Sequence, residues 1–147
     1  MLIPRRWAFA ATFLFSSACA SNSLAAQNSS GCLPADTVFV PMHLTYLRSL
    51  VSSTDPSDDS VRVKLGIPKA NPSKVSLVTS RTTCVKAVST LNAKRNEPNA
   101  VRQVWVFALG GGDYAVEDPA INPAPGEWMP VYILDRHFSF KNILYGW

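Results

Sequence analysis

Histidine and cysteine are scarce in this chain, with two and three residues among 147, and neither recurs at the short spacing a metal site needs. A structural zinc site takes closely spaced nitrogen and sulfur ligands. His43 and His137 stand far apart, and only Asp135 lies close to one of them. Asp113, Glu117 and Asp118 would join a site only if the fold gathers them, so no metal is expected. No Cys-x-x-Cys pair occurs, which argues against a thiol–disulfide enzyme. No serine stands in a Gly-x-Ser-x-Gly elbow. Glycines cluster only at Gly110-Gly111-Gly112, where Asp113 and an apolar run follow in place of the lysine, hydroxyl residue and helix of a phosphate loop. That triplet reads as a hairpin turn needing positive φ. No cofactor is implied. Apolar runs stay far short of the roughly 20 residues of a membrane span.

What the chain does have begins at its first residue. Arg5 and Arg6 precede the apolar stretch Trp7–Phe15, and Ser16 to Ala20 are small apart from Cys19. A basic start, a short apolar core and the small-x-small exit Ala18-Cys19-Ala20 are the three parts of a secretory signal. Residues 1–20 are therefore expected to be removed, leaving Ser21 as the mature start, with Ala26 as a second exit. Ser17-Ala18-Cys19 also partly resembles the end of a lipoprotein signal, although Ser16 stands where leucine is usual. Lipid anchoring through Cys19 is the lesser alternative to a periplasmic or secreted protein. Loss of Arg5 and Arg6 lowers the net charge from +4 to +2.

The mature chain then holds Cys32 and Cys84, an even pair that should bridge in an oxidising compartment. Residues 21–31 are small and polar and read as a flexible leader, with Asn28-Ser29-Ser30 a formal glycosylation triplet. Residues 32–147 read as one domain. Leu44, Leu47, Leu50 and Val51 predict a helix over Pro41–Ser52. Asp55 and Pro56 suit the start of a second helix and Gly66 its end, although Val61–Leu65 alternates well enough for an edge strand. Val75–Thr79 predicts a strand. Cys84, Ala87, Val88 and Leu91 form the stripe of a helix capped by Ser80 and ended before Asn96. Val104–Leu109 is apolar throughout, as in a strand covered on both faces. Tyr114–Glu117, Val131–Leu134 and a segment from Phe138 towards Tyr145 follow as strands, with a proline-rich loop over Asp118–Trp128 and a turn at Asp135–His137. The expected class is α+β: two or three helices and one strand, then an antiparallel meander.

Charge is the most uneven feature. Residues 62–102 carry nine basic residues against Glu97 alone, while both flanks are mildly acidic. A positive face is expected along the helix of Cys84, with Arg81, Lys86, Lys94 and Arg95 as its contacts. Lys86 and Lys94 miss the apolar stripe and are expected on its outward side. In an exported protein such a face suits an anionic lipid, a cell-surface polymer or an acidic protein better than nucleic acid. The absence of a catalytic constellation favours a binding or structural role. The alternative is a small secreted hydrolase using Asp135 and His137 as an acid–base pair. Trp128 and Trp147 are the aromatics expected nearest the surface.

Overall fold

The computed structural model describes residues 31–96, 100–119 and 130–145. The expected signal with Cys19, the leader up to Ser30, Trp128 and Trp147 lie outside these residues. In chain order the elements are β1 (Gly31–Cys32), α1 (Phe39–Ser52), α2 (Pro56–Leu65), a 3₁₀ turn (Pro72–Lys74), β2 (Ser76–Leu77), α3 (Arg81–Arg95), β3 (Gln103–Ala108), β4 (Tyr114–Glu117), β5 (Val131–Leu134) and β6 (Phe140–Leu144).

Local chemistry sets most boundaries. Asp36 Oδ1 accepts the N–H groups of Val38 and Val40 at 3.2 and 2.8 Å. This cap starts α1 two residues before Pro41, which then sits in the first turn where its missing N–H leaves no bond unmade. Asp55 accepts from Ser57 N–H, Pro56 opens α2, and Gly66 closes it at φ 75°. Val61–Leu65 is thus helical. Ser80 caps α3, and Asn96 ends it in the left-handed region at φ 55°. The strand expected over Val75–Thr79 shrinks to Ser76–Leu77, because Val75 N–H is held by Pro72 O within the 3₁₀ turn.

The sheet is mixed. β3, β4, β5 and β6 form an antiparallel meander, and the other edge of β3 pairs with β1 in parallel and β2 in antiparallel. β3 is therefore central, as its unbroken apolar run requires. Side chains alternate between two cores. Trp105, Phe107, Ala115, Val131 and Ile133 pack with Val40, Leu47, Leu50 and Val51 of α1 and Leu65 of α2. Val104, Val106, Val116, Tyr132 and Leu134 pack with Cys84, Ala87 and Leu91 of α3. Helices thus cover both faces, which extends the α+β reading to three layers. Cys32 and Cys84 are bonded, with Cα atoms 5.1 Å apart, so the disulfide fastens β1 to α3.

The glycine triplet makes the expected hairpin between β3 and β4. Gly110 and Gly112 lie at φ 84° and 101°, and Leu109 N–H bonds Asp113 O at 3.0 Å. A Cβ on Gly111 would meet Pro68 at 3.0 Å, so the turn is packed against the 68–74 link.

Candidate functional site

The β5–β6 turn and the adjoining side of α3 bring together residues from both functional expectations. The turn closes when Phe138 N–H bonds Asp135 O and Asp135 N–H bonds Ser139 O, both at 2.9 Å. Phe138 then takes φ 64°, the left-handed position that glycine normally occupies after such a turn. For a bulky residue this costs about 1–2 kcal/mol. That strain is why β6 begins at Phe140 and not at Phe138. It is offset by anchoring on α3 and β4: Thr90 Oγ1 of α3 donates to Phe138 O at 2.6 Å, and the Phe138 ring stacks on Tyr114 of β4 at 4.8 Å.

Asp135 and His137 share this turn, but the bond between them runs through the backbone. Asp135 Oδ1 accepts the N–H of His137 at 2.8 Å and of Ser139 at 3.0 Å. The Ser139 backbone bond, and after it that of His137, hold the Asp135 carboxyl below the usual carboxylate range. This carboxylate caps a turn. The imidazole turns to its other neighbour: His137 Nε2 accepts from Arg136 Nε at 3.3 Å.

The four basic residues of α3 differ in what they touch. Arg81 is exposed at the first residue of the helix, beside Gly31. Lys86 Nζ lies 5.6 Å from the centroid of Phe138, and Lys94 Nζ lies 4.2 Å from that of Phe140. The two ammonium groups therefore cover a ring of the β5–β6 turn and a ring of β6, an occupation that apolar periodicity does not reveal. Arg95 is half-buried and bonded: Nη1 bonds Asp118 Oδ2 at 3.1 Å and Nε bonds the Tyr132 hydroxyl at 3.3 Å. Burial opposes the Arg95 charge, yet Tyr132 and Asp118 together move its pKa up. Arg95 is thus half-buried and paired with Asp118, whereas Arg136, in the turn, is exposed. Lys86, Ser89, Thr90, Arg136, His137 and Phe138 line an open hollow of about 400 Å³.

A second polar constellation lies inside the fold. His43 falls on the buried stripe of α1 with Val40 and Leu47, and Glu117 shares the α1-facing side of β4 with Ala115. His43 Nδ1 and Glu117 Oε2 are 2.6 Å apart, with side chains only 6% and 2% exposed. The rings of Phe39, Trp105 and Phe107 surround the imidazole at 6.2–6.4 Å between centroids. Asp118, one residue on, meets Arg95 of α3 on the opposite face of the sheet, and Asp113 meets Lys141 Nζ at 2.7 Å. The acids Asp113, Glu117 and Asp118 are thus separated onto different partners. Among the described residues no three His, Cys, Asp or Glu side chains gather as a metal site.

No protein-family model, curated protein or solved structure matches the chain.

Proposed function

We propose that the protein is exported and acts by binding an anionic partner, without catalysis, through α3 and the β5–β6 turn. The observation that carries this reading is the hollow in which Lys86 of the helix meets Arg136 and His137 of the turn. Two cations from separate elements reinforce one another's field, and the Thr90–Phe138 bond holds the elements in register. Arg81 and Lys94 extend the positive charge along α3, while Arg95 supports it from within by fixing Asp118. Export is supported by the three-part N-terminus and by the Cys32–Cys84 disulfide, a bond that persists in oxidising compartments.

Retention of the protein on an anionic polymer or lipid surface, followed against ionic strength, tests the binding. Lys86→Gln with Arg136→Gln should elute at clearly lower salt, and the difference should shrink as salt rises. Equal elution of wild type and variant in dilute buffer would remove this face from the account. N-terminal sequencing from the native host tests export: a start at Ser21 is expected, and a chain beginning at Met1 would refute it.

A further inference from the structure

We infer that the hollow between α3 and the β5–β6 turn is a subsite for a phosphate group, an assignment that rests on the anionic-partner reading and narrows it to one chemistry. Its donors come in complementary forms. Lys86 supplies a compact ammonium, and Ser89, on the next helical turn, an exposed hydroxyl. Arg136 supplies a planar fork suited to two oxygens of one group. Because Arg136 Nε–H is bonded to His137 Nε2, the neutral imidazole carries its proton on Nδ1 and becomes a donor too.

The neighbouring acceptor is partly withdrawn. Asp135 Oδ1 accepts the N–H groups of His137 and Ser139, so one oxygen of this carboxylate is taken up by the turn, and among the described residues it forms no ion pair with Lys86 or Arg136. Thr90 commits its proton to Phe138 O, leaving Ser89 as the donating hydroxyl. The left-handed Phe138, held by Thr90 of α3, fixes the turn whose Arg136 and His137 line the hollow with Lys86. Charge selects the ligand. Two full cations match a phosphomonoester, which carries about −1.5 to −2 at neutral pH, better than a singly charged carboxylate or sulfate ester.

The test uses the exported protein and four probes: inorganic phosphate, acetate, and phosphatidylcholine vesicles bearing phosphatidic acid or phosphatidylglycerol at matched surface charge. Phosphate should bind ahead of acetate and shift the amide resonances of Ser89, Arg136 and His137. Arg136→Gln should weaken phosphate binding about tenfold, and Lys69→Gln, an equal charge change at an exposed site elsewhere, should not. Preference for phosphatidic acid over phosphatidylglycerol identifies a lipid headgroup as the source. Binding of free phosphate with no vesicle preference identifies a soluble phosphate compound. Both support the subsite. Equal affinity for all four probes, with Arg136→Gln no weaker than Lys69→Gln, overturns the subsite and leaves a general anionic face standing. No binding to any probe overturns both.

Discussion

Removal of either partner from the buried His43–Glu117 pair should destabilise the fold far more than removal of both. Nδ1 and Oε2 are 2.6 Å apart, and neither side chain exceeds 6% exposure. Three aromatic rings lie about the imidazole, so the pair sits in apolar surroundings where an unpaired polar group is costly. His43→Leu leaves a carboxylate buried without its imidazole, and Glu117→Leu leaves the imidazole without its acceptor. Each should cost about 3–5 kcal/mol, a large share of the roughly 5–15 kcal/mol that holds a domain together. The double variant, which puts apolar volume on both sides of one contact, should lie near wild type or above it. Urea unfolding with the disulfide intact, read by far-UV circular dichroism, gives all four corners of the cycle. A double variant that loses the sum of the two single losses would refute the reasoning: each side chain would then be needed for its own contacts and not for the other.

Three further outcomes are expected. Replacing Cys32 and Cys84 with alanine opens a loop of 52 residues and should lower stability by about 4 kcal/mol in the chain-entropy account, measured by urea unfolding against the oxidised protein. Lys94→Gln should cost about 0.5–1 kcal/mol by thermal unfolding, because the ammonium leaves the face of Phe140; a purely solvated lysine would cost nothing. Asp135 has its pKa lowered in the fold, so its contribution is present above the unfolded carboxylate value of about 3.9 and is lost as pH falls through the lowered value. Asp135→Ala should therefore flatten the fall of stability with acid below about pH 4, and an unchanged slope would place the acid sensitivity on another carboxylate.

Boundaries set by neighbours in sequence were legible. Asp55 with Pro56, Gly66, Ser80 and Asn96 mark helix ends by caps that act within three or four residues. The apolar run at Val104–Leu109 revealed a covered strand, and the pair that remains once Cys19 is assigned to a signal pointed to the disulfide. Contacts that depend on how layers stack were not legible. Periodicity puts His43 on the α1 stripe with Leu47, and alternation puts Glu117 on the inward side with Ala115, so each is marked as a polar residue in an apolar place. That they meet depends on how α1 lies across β4. Arg95 misses the stripe of α3 and reads as solvated, but Asp118 emerges from the end of β4 beneath it. Phe138 gives no sign of φ 64°, since a glycine would be expected there; the bond from Thr90 of α3 and the stack on Tyr114 of β4 hold it in that conformation.

The outer edge of β3 is divided between two strands of two residues each, β1 on Gln103 and Val104 and β2 on Phe107 and Ala108. Each is too short to hold its place by ladder bonds alone, and β1 is secured by the bond from Cys32 to Cys84. Reduction therefore does more than loosen the chain. It loosens the hold on β1, whose Gly31 and Leu33 N–H groups bond the carbonyls of Arg102 and Val104, and those carbonyls, once released, would be open to a strand of another molecule. The disulfide thus guards the edge of the central strand as well as joining two elements.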